Sequence, residues 1–276
     1  MSPAFTPTVA VLLVLLGVAV GAFGTIVGAG GGFVLTPILL LLYPHDKPST
    51  ITAISLTAVF FNAASGSAAY ARQRRIDYRS GLAFAAAALP GSVAGALIVS
   101  AVSRSLFDVL MAVVLLGLAA WLLLGEPAHG RPRRGRLTSR ELTDSTGLTH
   151  RYAVPLRRGI AYSVVVGFVS SFLGIGGGVI HVPLLARALG FPTHIATATS
   201  HFVLSLVAGT GAVTHIAAGS FAHRHGVRRS IALSVGVVAG AQLGARMSLR
   251  LSGRRVEWLL GAALLVLAVR LAFAGI

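Results

Sequence analysis

The chain has no cysteine, one lysine and seven acidic residues in 276 positions, and only 11% of its side chains are charged. The missing thiols exclude disulfides, thiolate metal sites and cysteine nucleophiles. With 55% hydrophobic side chains and a mean hydropathy of +0.84, there is too little polar surface for a water-soluble domain. No Asp or Glu lies deep in an apolar stretch, so no carboxylate relay and no constellation of nucleophile, base and orienter can be assembled. Enzyme function is therefore not expected, and no cofactor or metal is called for. The formal charge of +16 comes from arginines spread over the breaks between apolar stretches. That is a topology signal, since positive loops stay on the cytoplasmic side, and it gives no reason to expect nucleic acid. The first ten residues carry no positive charge ahead of the first apolar run, which argues against a cleaved signal peptide.

What the chain does have is eight apolar units, at about 8–43, 50–71, 80–103, 106–125, 159–189, 195–218, 229–250 and 256–275. A helix of about 20 such residues crosses a hydrocarbon core. Helix is expected rather than strand, because lipid offers no partner to an unpaired backbone group and the alternation of a membrane barrel is absent. The expected fold class is an all-α, multi-pass integral membrane protein. Between the fourth and fifth units lies the only long polar segment, Glu126 to Arg158, with eight arginines, Pro127, Pro132 and Pro155. It reads as a basic cytoplasmic linker, 126–158, between membrane repeats at 1–125 and 159–276.

The two sides of that linker match. At an offset of 146, Gly28, Gly30, Gly31, Gly32 and Pro37 fall on Gly174, Gly176, Gly177, Gly178 and Pro183. After a one-residue deletion Thr52-Ala53-Ile54-Ser55 falls on Thr197-Ala198-Thr199-Ser200 and Gly66 on Gly211; at an offset of 149, Gly91 and Gly95 fall on Gly240 and Gly244. An ordered series with small offset changes in the loops points to an internal duplication.

Each glycine costs a helix about 1 kcal/mol relative to alanine, so both clusters should break their helices, with restarts near Gly32-Phe33 and Gly178-Val179. Two topologies follow. If each first unit crosses once through a kink, the halves are parallel and the loops on the cytoplasmic side hold 15 basic residues against 7. If each is a hairpin turning at the glycines, the halves are inverted and the balance is 17 against 5. The similar basic character of 72–79 and 223–229 favours parallel halves, whereas the 36-residue first unit favours a hairpin or pronounced break.

A helix that restarts inside a membrane offers unpaired N–H groups and a partial positive charge, which together make an anion site without basic side chains. Transporters with internal repeats place such breaks at the bilayer midplane. The plainer alternative is close helix packing by small residues, but two clusters at equivalent positions favour a site. Neither cluster is a nucleotide loop, because the Gly-Lys-Ser/Thr ending is absent.

The doubled Gly-x-Gly-Gly-Gly with Pro five residues on, in a chain of this size with eight hydrophobic units, resembles the TauE/SafE family of sulfite and organosulfur-anion exporters. The resemblance implies an inner-membrane permease moving a small anion such as sulfite, sulfonate or sulfoacetate. A non-transporting membrane scaffold remains the alternative.

The expected binding groups are the backbone of Gly30, Gly31, Gly32, Gly176, Gly177 and Gly178, with Thr36, Ser55, Asn62, His181, Ser200 and His201 as polar side chains inside apolar units. Thr52, Thr57, Ser65, Thr197, Thr199, Ser205 and His215 share that character, although hydroxyls often bond back to their own helix. His181 stands where the first half has Leu35, and a histidine there suits either a coupling proton or a neutral structural bond. Asp108 and Glu257 start equivalent units beside arginines and read as helix-end charges. Tyr43, Trp121 and Trp258 read as interfacial anchors and Arg270 as snorkelling. The expected partners are the anion and the lipid bilayer, and a homo-oligomer is compatible with the sequence.

Overall fold

The computed structural model describes residues 5–124, 137–221, 224–248 and 253–274. Ten helices follow in order: α1 (Pro7–Ile26), α2 (Gly32–Leu42), α3 (Pro48–Arg72), α4 (Tyr78–Ile98), α5 (Arg104–Leu124), α6 (Leu156–Leu173), α7 (Gly178–Pro183, continued by a π-helical turn to Leu189), α8 (Thr193–Ala217), α9 (Arg224–Ser248) and α10 (Gly253–Ala274). Among the described residues seven helical segments are long and apolar enough to cross a membrane. Leu12, Leu15, Val113, Val213 and Val235 point outward, more than half exposed, as expected where lipid is the solvent.

Local chemistry sets the ends. Thr6 caps α1 ahead of Pro7, and the Asp77 carboxylate accepts from the Ser80 amide at 3.0 Å to start α4. The breaks follow from backbone sign: Gly28, Gly30 and Gly31 have φ of +75°, +73° and +80°, and Gly174, Gly176 and Gly177 have +69°, +80° and +70°. Side chains resist that region by about 1–2 kcal/mol per residue. The helices restart at Gly32 and Gly178, where the sequence placed them.

Small residues decide which helices pair. α1 lies along α9 and α4 along α6, with α3 on α8 and α5 on α10. The backbones come so close that a methyl on Gly91 would sit 2.3 Å from the Val164 oxygen, and one on Gly240 would sit 2.2 Å from the Val18 oxygen. α3 and α8 form the centre, with 67% and 72% of their most apolar windows buried, against 28% for α5.

The chain turns back at both glycine breaks. α1 runs parallel to α9, so its start lies beside the start of α9, and α2 returns to that same end: Arg229 of α9 stacks 3.7 Å over the Tyr43 ring and holds Asp46 at 2.8 Å. In the second half the end of the returning limb comes back to the start of α6, where Leu189 meets Gly159. The crossing alternative does not describe this chain. Tyr43, expected as an interfacial anchor, is buried under Arg229, whereas Trp121 and Trp258 are exposed near helix ends. Asp108 does pair with Arg104, at 2.9 Å, and Arg104 in turn donates to the carbonyls of Leu40, Pro44 and Asp46, fastening the end of α2. The Glu257 side chain lies outside the described residues.

One element was not expected. Within the segment read as a linker, Thr138–Thr143 and Thr149–Val154 pair as an antiparallel hairpin. Leu142, Tyr152 and Val154 pack on Phe84, Leu189 and Phe191. Arg140 reaches Asp77 at 3.4 Å, Tyr152 donates to Asp77 at 3.0 Å, and the Ser145 amide donates to the Gln73 carbonyl at 3.0 Å. α6 then begins at Leu156, three residues before the expected unit.

Candidate functional site

The two glycine loops meet at the centre of the bundle. A methyl on Gly32 would lie 2.7 Å from the Ile175 oxygen, and one on Gly178 would lie 2.7 Å from the Gly28 oxygen. Gly30 and Gly176 both pack on Val59 and Leu204, each the twelfth residue of a 25-residue helix, α3 and α8 respectively. The loops therefore sit at mid-depth, approached from opposite ends of the bundle.

Not every amide there is available. Gly30 donates to Gly24, Gly176 to Ser170, and Gly178 to Gly176. Among the described residues nothing accepts from the amides of Gly31, Gly32 and Phe33, or of Gly177 and Val179. These are the donors that a restarting helix leaves unpaired, and they differ by one or two positions from the glycines named in the sequence.

The hydroxyls expected at the site mostly hold the loops. Thr36 and Ser55 lie 2.8 Å apart, and both hydroxyls reach the Gly174 carbonyl, at 2.8 and 2.7 Å. Ser200 faces the Gly28 carbonyl at 3.4 Å, the equivalent contact from the other half. Asn62 donates to the Gly21 carbonyl at 3.0 Å, its oxygen accepts from Thr25 at 3.1 Å, and His201 Nε2 lies 3.3 Å from both side chains. His181 Nε2 is 3.2 Å from the Ser163 hydroxyl and meets Phe84 edge-on. Thr57 and Ser205 bond back to their own helices, as hydroxyls in membrane helices commonly do.

Thr25 and its offset partner Ser171, which bonds Ser92 at 2.7 Å, were missed by sequence reasoning. The matching offset held the signal, because both are hydroxyl residues three positions ahead of a glycine cluster. All twelve expected site residues are buried around the loops. A cavity of about 10 Å³ borders the second loop, lined by Val166, Gly176, Gly177, Gly178, His181 and Leu204 among others, barely the room one water needs. Chemically the arrangement offers backbone dipoles and hydroxyls, a set that suits an anion.

Comparison with known proteins identifies the family. The family model described as sulfite exporter TauE/SafE matches residues 13–271. The chain is 32% identical over 215 residues to the probable membrane transporter protein YunE of Bacillus subtilis, covering 76% of this chain and 79% of that one. It is 26% identical over 212 residues to the probable membrane transporter protein MJ0441 of Methanocaldococcus jannaschii, covering 75% and 72%. A probable membrane transporter protein of Xylella fastidiosa is 32% identical over 193 residues, 67% of this chain and 64% of that one. No solved structure matches the chain significantly. The chain belongs to the sulfite exporter TauE/SafE family and is a membrane transporter rather than an enzyme.

Proposed function

We propose that this transporter carries a small anion, sulfite or an organosulfur anion such as sulfonate or sulfoacetate, across the inner membrane by alternating access, binding it where the glycine loops meet. The observation that carries this is the meeting itself: two re-entrant loops, entering from opposite ends, bring unpaired amides together at mid-depth. Such dipoles favour an anion without fixing a cation in the membrane. The loops are closed on each other, so an anion enters only when the halves part.

Residues 1–125 and 159–276 act as two inverted copies in this mechanism. The helix pairs support it, because α1 on α9 and α6 on α4 are the same contact read from either half. The basic loop at 72–79 and the segment 126–158 then face the cytoplasm.

Replacing Gly31 or Gly177 with Val puts a branched side chain at φ of +80° or +70°, against Val20 or Ser170. In proteoliposomes each variant should insert normally and lose sulfite flux. Wild-type flux in either variant would sink the proposal.

A further inference from the structure

The two glycine loops are not equivalent where each packs on its own preceding helix. At the offset of 146, Gly24 of α1 corresponds to Ser170 of α6. A methyl on Gly24 would lie 2.1 Å from the Gly31 nitrogen, so the first loop lies directly on the α1 backbone and leaves no room for a side chain. The second loop stands off its helix, with the Ser170 side chain filling the gap: the position of a methyl on Gly177 is 2.9 Å from Ser170 Oγ. Ser170 is completely buried, and among the described residues nothing hydrogen-bonds its hydroxyl. The small cavity borders the same loop, at Gly176, Gly177 and Gly178. Buried hydroxyls are normally satisfied, and one left unpaired calls for an explanation.

We propose that the Ser170 hydroxyl is an oxyanion ligand, donating to a substrate oxygen alongside the unpaired amides of Gly177 and Val179. The second loop is then the principal binding surface, and the first loop, packed on Gly24, is the surface it closes against. This rests on the transport function proposed above and adds a side-chain donor that the glycine motif does not contain. A partner that arrives and leaves explains why the described protein groups do not satisfy the hydroxyl. It also accounts for the serine standing in one half only, since a single anion needs one such donor.

The test is concentration-dependent sulfite uptake into proteoliposomes by wild type, Ser170→Ala, Ser170→Thr and Ser171→Ala, together with the thermal stability of each purified protein. A hydrogen bond to a charged group is worth about tenfold or more in affinity. Ser170→Ala should raise KM by about that factor with maximal flux little changed, while Ser170→Thr, which keeps the hydroxyl, should recover much of the loss. Ser170→Ala should be no less thermally stable than wild type, because it removes an unpaired group. Ser171→Ala breaks a structural bond to Ser92 and should lower stability with KM unchanged. An unchanged KM in Ser170→Ala, or a stability loss there matching that of Ser171→Ala, overturns the assignment while leaving transport at the glycine loops intact. Wild-type vesicles that take up no anion overturn the transport function, and this assignment with it.

Discussion

At the scale of single residues, the centre of the molecule is held by hydroxyls placed on carbonyls that the broken helices leave unpaired. Thr36 and Ser55 together hold the Gly174 carbonyl of the opposite half. A buried carbonyl without a partner costs about 1–3 kcal/mol. The double variant Thr36→Val, Ser55→Ala should therefore lose about 2 kcal/mol of stability, seen as a lower unfolding temperature in detergent, with either single variant losing less because the other hydroxyl still serves the carbonyl. Equal stability in the double variant would show that the bonds do not hold the loop. These contacts could not be read from the sequence. Thr36 and Ser55 stood out as polar residues in apolar units, but whether a hydroxyl faces a substrate, its own helix or a distant carbonyl depends on tertiary packing.

At the scale of elements, glycine is the most legible feature and the hairpin the least. The restarts at Gly32 and Gly178 could be placed from sequence because the positive φ at the preceding positions favours glycine over other residues. The strands at 138–154 were hidden because their apolar face amounts to Leu142, Tyr152 and Val154 in a segment dominated by arginine and hydroxyl residues. The hairpin turn depends on Asp144, whose pKa is lowered to about 2 by the Thr146 hydroxyl and then by backbone amides and His150, against the opposing effect of burial. A carboxylate depressed in this way contributes stability above its unfolded value near 3.8, and the contribution is lost as pH falls from about 4 toward 2. Hydrogen exchange of the 149–154 amides, corrected for intrinsic rate, should show protection falling over that window. Asp144→Asn should show weaker protection at neutral pH and no acid step; a variant as protected as wild type would contradict the role given to the carboxylate.

For the whole molecule, the series of matching offsets is legible in the sequence, whereas the direction in which the chain leaves each glycine break is not. Basic-residue counts of 15 against 7 and 17 against 5 separate the two topologies too weakly, because the basic residues that decide the matter sit in loops of only a few positions. Spatial contact settles what composition does not: α2 ends beside Arg229 and Arg104, at the end of the bundle where α1 began. The proposed shared site depends on this reversal, since hairpins entering from opposite ends bring both glycine loops to mid-depth. The absence of cysteine makes the point directly measurable. Single variants Lys47→Cys and Thr193→Cys, each just past a returning limb, can be labelled with a membrane-impermeant maleimide in right-side-out and inside-out vesicles. The two positions should react from opposite faces of the membrane; labelling of both from the same face would rule out two hairpins entering from opposite ends.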